Sequence, residues 1–159
     1  MGRKNYGNKR HNRNFNKNND NDEISDVIDN IKNLSMLSDM SVKDFADEGG
    51  YADIVAYNSG NLNTNQLRKF FGAVRLMEKK DDLTWEKIEP DFYILKPRLA
   101  VSAGRGNISK SFYNLMMATM KKVDVGNEED KIKNFKIFVQ FFESIVAYHK
   151  FYDSKKGKY

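Results

Sequence analysis

Apolar residues in this chain recur at three- and four-residue intervals and almost never alternate. Ile24, Val27, Ile28, Ile31 and Leu34 form the first such series, opened by Asp22 and Glu23, whose charge suits the positive end of a helix dipole. Ser38 to Gly50 is acidic and broken and ends in Gly49-Gly50. A short apolar segment, Tyr51 to Tyr57, follows and stops at Asn58-Ser59-Gly60. The next helix is the most clearly written. Asn63 or Thr64 caps it, Gln66 stands in the capping-box relation to Asn63, and Leu67, Phe70, Phe71, Val74 and Met77 share one face. At about 100° per residue, Arg68, Gly72, Arg75 and Lys79 line up along the flank of that face. A core stripe and a basic stripe thus lie side by side.

Asp81 to Glu89 reads as a connection with a helical turn at Thr84-Trp85. Phe92–Leu95 and Leu99–Ala103 read as helix interrupted by Pro97, which lacks an amide donor and is expected to kink or restart the helix. Gly104-Arg105-Gly106-Asn107 is a loop with two permissive positions. Phe112, Leu115, Met116, Thr119 and Val123 mark another amphipathic helix, ending near Gly126. The last helix is expected from about Asn127 to Tyr152. Its apolar residues, from Phe135 to Tyr148, cover more than half the wheel, wider than a surface helix needs. Such a helix is central in the bundle or buries a face against another chain. The fold class is therefore all-α, a compact bundle of five or six helices. The expected organisation is a disordered tail over 1–21, one helical domain over 22–154 and a basic C-terminal tail over 155–159.

Charge changes the picture by its distribution. Residues 1–19 carry six basic groups and no acid, residues 20–48 hold nine acids against Lys32 and Lys43, and residues 49–159 hold nineteen bases against thirteen acids. Phe92 to Val123 contains Lys96, Arg98, Arg105, Lys110, Lys121 and Lys122 without one carboxylate. A field of one sign points to a polyanionic partner. The Asn/Lys/Arg-rich tail has too few apolar groups to offset its ordering entropy and reads as disordered, either a solubilising tail or a loose RNA-binding arm. No apolar run approaches the ~18 residues of a membrane span, and no signal-peptide pattern opens the chain. With no Cys there is no disulfide, thiol nucleophile or Cys-ligated metal. A soluble, cytoplasmic protein is expected.

Catalytic chemistry finds little purchase. His11 lies in the tail, and His149 sits in the apolar arc of the last helix, where a structural role is the simpler reading. Asp20, Asp22 and Glu23 lack the spacing of a calcium loop, and Gly104-Arg105-Gly106 lacks the ending of a phosphate loop. Met116, Met117 and Met120 suit core filling. No catalytic residue, metal site or cofactor is assigned. The basic residues carry more information: Arg68, Arg75, Lys96, Arg98 and Arg105 stand on helix flanks or in a glycine loop, close to aromatics, where they neutralise phosphates or simply solvate the surface. Nothing suggests base-specific readout, so backbone recognition is the expected mode.

Three separate motifs then become recognisable in order: Gln66-Leu67-Arg68-Lys69-Phe70-Phe71, then Leu95-Lys96-Pro97-Arg98-Leu99-Ala100 leading to Ala103-Gly104-Arg105, then the run from Phe138 to Lys150. Together they resemble the small subunit of the type III-A CRISPR (Csm) interference complex, over about residues 51–152. The resemblance implies a small all-helical, non-catalytic subunit. Copies of it stack in a filament beside backbone subunits and hold the guide RNA–target RNA duplex by phosphate contacts without sequence specificity. RNA cutting belongs to other subunits. Carried over by motif, Arg68, Lys69, Lys96, Arg98 and Arg105 are the RNA-facing positions, joined by Arg75 from the basic stripe. Phe141, Ile145 and Tyr148 serve core and subunit packing. The implied partners are the other Csm subunits, guide RNA and target RNA, with self-association along the filament. Val101 stands where the motif calls for an aromatic residue.

Two other classes stay open on composition. A helical adaptor docking an acidic protein without RNA accounts equally for the basic face and the wide apolar arc. A small nuclease with an unrecognised site is disfavoured by the lack of any paired acid–base group.

Overall fold

Helices form where the three- and four-residue spacing places them. The computed structural model describes residues 17–59 and 62–156, and among these the regular elements are α1 (Lys17–Lys32), a 3-10 turn (Leu37–Asp39), α2 (Val42–Ala46), α3 (Tyr51–Tyr57), α4 (Thr64–Glu78), α5 (Trp85–Gly104), α6 (Lys110–Lys121) and α7 (Glu128–Lys156). The chain is all-α. Among the described residues there are seven α-helices, against the five or six expected, the five-residue α2 being one that the periodicity did not mark. Residues 1–16 of the expected tail and 157–159 of the C-terminal one lie outside the described residues. Helix α1 begins at Lys17, earlier than expected, and α7 continues to Lys156, beyond the expected end at Tyr152.

α7 runs through the middle of the bundle, against the 3-10 turn, α2, α3, α4 and α5, while α1 lies against α3 and α6. That position explains its wide apolar arc. Phe135, Phe138, Val139, Phe141, Phe142 and Ile145 are at most 1% exposed. The Phe138 ring sits 5.7 Å from Phe92 and 6.0 Å from Phe142, both edge-on. Each such buried side chain stabilises by about 1.5–3 kcal/mol. Phe141 and Ile145 are thus buried inside their own chain. Tyr148 is partly buried and its hydroxyl donates to the Ala46 carbonyl at 2.8 Å. His149 is buried, 4% exposed.

The expected restart at Pro97 does not occur in helix α5. It is continuous from Trp85 to Gly104 and contains both Pro90 and Pro97. The two prolines stand seven residues apart and both are exposed, so they share the outer face, where water can solvate the carbonyls they leave without an amide donor. The inner face, Trp85, Ile88, Phe92, Leu95 and Leu99, is buried to 4% exposure or less and holds the helix through both positions. Thr84 caps its start by accepting from the Lys87 amide. The Trp85 amide donates to Glu128 at 2.8 Å, joining the starts of α5 and α7.

The acidic stretch 38–50 is more ordered than its composition suggests, because its carboxylates cap helices. Ser41 and Asp44 form a reciprocal capping box at the start of α2, at 3.2 and 3.1 Å. Asp53, fully buried, accepts from the Gly49 amide at 2.8 Å and from the Tyr152 hydroxyl. The turn between α2 and α3 needs its glycines: Gly49 has φ 78°, and a Cβ on Gly50 would stand 2.7 Å from the Asp44 carbonyl oxygen.

Candidate nucleic-acid interface

Helices α4 and α5 pack together, and the start of α4 comes beside the end of α5. Asn63 fixes the first turn of α4, its side-chain oxygen accepting from the Gln66 amide at 3.0 Å. The Asn63 amide donates in turn to the Asn107 carbonyl at 3.0 Å, and the Asn107 amide to the Ser102 carbonyl at 2.9 Å. The loop after α5 turns back through Gly106, at φ 77°, and is thereby stapled to the start of α4.

A surface groove of about 550 Å³ lies along this junction. Gln66, Lys69 and Phe70 line it from α4; Pro97, Arg98, Val101, Ser102 and Arg105 from α5 and its cap; Asn107 closes the end. Phe70 and Ser102 are buried, while Lys69, Arg98 and Arg105 are exposed. Among the described residues no carboxylate pairs with Arg68, Lys69, Arg98 or Arg105. A groove with three such cations attracts an anion, and arginine forks suit phosphate oxygens. Val101, 51% exposed, offers an aliphatic wall and no stacking ring.

Two of the expected positions point elsewhere. The Arg75 guanidinium stands 3.2 Å from Glu78 and 3.5 Å from Glu143, and 5.9 Å from the Phe71 ring centroid. Lys96 lies 4.6 Å from the ring centroid of Tyr93, whose hydroxyl donates to Asp124. Asp124 also pairs with Lys131 at 3.0 Å. Burial would raise the Asp124 carboxyl, but hydrogen bonds from Tyr93 and Lys131 and the charges of Lys131 and Lys96 outweigh it, so it is held below its usual range. The hydrogen bond to Asp124, then burial, then the charges of Asp124 and Glu89 push the Tyr93 hydroxyl up to about 12. This cluster ties α5 to α7 and the loop before it, and it engages Lys96 away from the groove.

The Csm2 Type III-A family profile matches residues 41–155. A curated relative, the CRISPR system Cms protein Csm2 of Enterococcus italicus, is 31% identical over 111 residues, spanning 67% of this chain and 77% of its own length. The chain belongs to the type III-A Csm2 family. It is a structural subunit of a type III-A CRISPR complex. No solved structure matches it significantly.

Within this Csm2-family fold, Lys69, Arg98 and Arg105 converge, Arg68 is exposed one position from Lys69 on α4, and Arg75 and Lys96 are engaged by carboxylates or a ring. Gln66, Ser102 and Asn107 were not singled out by sequence reasoning, although Gln66 was visible as the residue capped by Asn63, and Asn107 as the end of the glycine loop. Among the described residues no cluster of His, Cys, Asp or Glu could hold a metal ion, and no helix is long and apolar enough to cross a membrane.

Proposed function

We propose that this Csm2-family protein is a non-catalytic, cytoplasmic subunit of an RNA-guided antiviral complex, contacting the guide RNA–target RNA duplex through its backbone. Copies stack along a filament beside the backbone and large subunits, and repetition supplies avidity that a single weak contact lacks. Guide pairing provides the sequence specificity, which leaves this subunit to read charge and shape. The observation that carries the reading is the convergence of Lys69, Arg98 and Arg105 on one groove where no described carboxylate pairs with them. Arg68 extends that surface. Arg75 and Lys96 contribute to the surrounding field rather than as direct phosphate contacts. The exposed outer faces, not the buried Phe141 and Ile145, are the surfaces left for neighbouring copies.

The test is the complex assembled with Lys69→Ala, Arg98→Ala and Arg105→Ala combined in this subunit. Target RNA retention should fall and become less steeply salt-dependent, the slope dropping by about one per phosphate contact removed. Unchanged retention at physiological salt would sink the assignment. Loss of an acidic protein partner with RNA binding intact would favour a protein-docking role instead.

A further inference from the structure

Gly72 stands in the interior of α4, exposed, with ordinary helical backbone and nothing within 4 Å of where a Cβ would sit. Glycine there costs helix stability relative to alanine, and nothing among the described residues requires it. The turn glycines differ in this respect: Gly50 is forced by backbone oxygens and Gly106 by its positive φ. A reason for Gly72 is therefore to be sought outside the chain. Within about 60° of it on the helix wheel lie Asn65, Arg68, Lys69, Arg75, Leu76 and the capping Lys79, four cations and no acid. Among the described residues only Arg75, at the edge of this face, is paired with carboxylates. Lys69 also belongs to the groove that holds Arg98, Arg105 and the buried Ser102, whose hydroxyl has no hydrogen-bond partner among the described residues.

We propose that Gly72 is a close-approach point for a phosphodiester backbone, which crosses α4 between Arg68 and Lys69 and continues into the groove beside Arg98 and Arg105. The inference rests on the RNA-binding reading above and adds where the strand runs. The missing Cβ lets a sugar–phosphate chain lie directly against the helix, so the flanking cations reach its oxygens from both sides. A second protein chain could also exploit a bare glycine, but an acid-free ring of cations suits a phosphate chain and would repel a second copy of itself.

The experiment uses the full-length protein and a fluorescently labelled guide–target RNA duplex at low salt. Gly72→Ala should raise the melting temperature by about 2–4 °C, through helix propensity, and yet weaken binding about threefold. Gly72→Leu should weaken it about tenfold, equivalent to about 1.4 kcal/mol. Opposite signs for stability and binding are the signature. If both variants bind like the unaltered protein while Lys69→Ala with Arg98→Ala loses affinity, the close approach is wrong and the groove reading survives. If the charge variant also binds normally, the RNA reading itself fails. If Gly72→Leu instead alters self-association in the absence of RNA, the glycine serves a protein contact and the proposal is overturned.

Discussion

The side-chain oxygen of Asn134 accepts a hydrogen bond from the Ser38 amide at 2.8 Å, across ninety-six positions of sequence. The same fully buried side chain donates to the carbonyls of Val123 and Val125 at 3.0 and 3.2 Å. One amide thus joins α7, the 3-10 turn and the loop after α6, three segments that share no periodic pattern. Replacing Asn134 by Ala takes the partner from the Ser38 amide and the Val125 carbonyl, each costing about 1–3 kcal/mol before relaxation, while the Val123 carbonyl keeps the Val125 amide at 2.9 Å. A net loss of about 3 kcal/mol is expected, with Asn134→Asp as damaging because its carboxylate would face two carbonyls. Urea unfolding with an unchanged m-value checks this; a loss below about 1 kcal/mol would mean that water replaces the amide.

The two prolines of α5 give a prediction of the opposite sign. Pro97 is exposed and the helix continues past it, so the Tyr93 carbonyl lacks its amide donor. Pro97→Ala restores that bond, against the greater unfolded-state freedom of alanine. The expected gain is about 1–2 kcal/mol in thermal or chemical unfolding. A loss would show that the pyrrolidine ring packs against the groove or sets a curvature the bundle needs.

The contrast between α4 and α5 shows what the sequence could and could not disclose. α4 was legible because its determinants are local: Asn63 caps it, and Leu67, Phe70, Val74 and Met77 recur with the helix period and are all buried. α5 runs on through Pro97 because the local rule for proline is outweighed by the burial of Phe92, Leu95 and Leu99, with Phe92 against Phe135 and Phe138 of the central helix, a tertiary effect. Asp39 and Asp44 read as part of a broken acidic stretch since their role as backbone acceptors appears only once the chain is folded. The candidate site divides in the same way. The basic side chains could be named from the sequence, but the convergence of Lys69 with Arg98 and Arg105, and the diversion of Arg75 and Lys96, depend on how α4 lies against α5 and on Glu143 and Asp124 from elsewhere.

Gly50 tests the turn that follows α2. A methyl group there would stand 2.7 and 2.8 Å from the carbonyl oxygens of Asp44 and Asp47, both backbone and unable to swing aside. Gly50→Ala is expected to destabilise by about 1–3 kcal/mol, with the largest loss of amide protection in α2 and α3. Hydrogen exchange resolves this, and protection indistinguishable from that of the unaltered protein would contradict the clash.

The Tyr93–Asp124 hydrogen bond makes stability depend on pH at both extremes. Tyr93, with its hydroxyl pushed up to about 12 from 10.0, holds its proton more tightly when folded. Its contribution is complete below about pH 10 and is lost as the pH rises towards 12. Asp124 is shifted the other way, below 3.8, so its contribution is present above that value and is lost as the pH falls through the lowered one. Tyr93→Phe should flatten the alkaline limb of a stability–pH profile and blunt the acid limb. An alkaline limb that is the same in the variant would show that other groups govern it.

Glu143 offers a gain-of-function test of the basic face. It pairs with Arg75 at 3.5 Å while both side chains are largely exposed, 57% and 42%, so the pair adds little to stability. Glu143→Gln should change unfolding free energy by less than about 0.5 kcal/mol. It leaves Arg75 with Glu78 alone and raises the positive field beside Gly72, so affinity for an RNA duplex should increase about two- to threefold at low salt, with a correspondingly steeper salt dependence. The same substitution made in an Arg75→Ala background, and compared with Arg75→Ala alone, separates the causes. If it keeps the gain, the effect is one of general field; if the gain disappears, Arg75 reaches the phosphates once released. No gain in either variant would place the nucleic acid away from this end of α4.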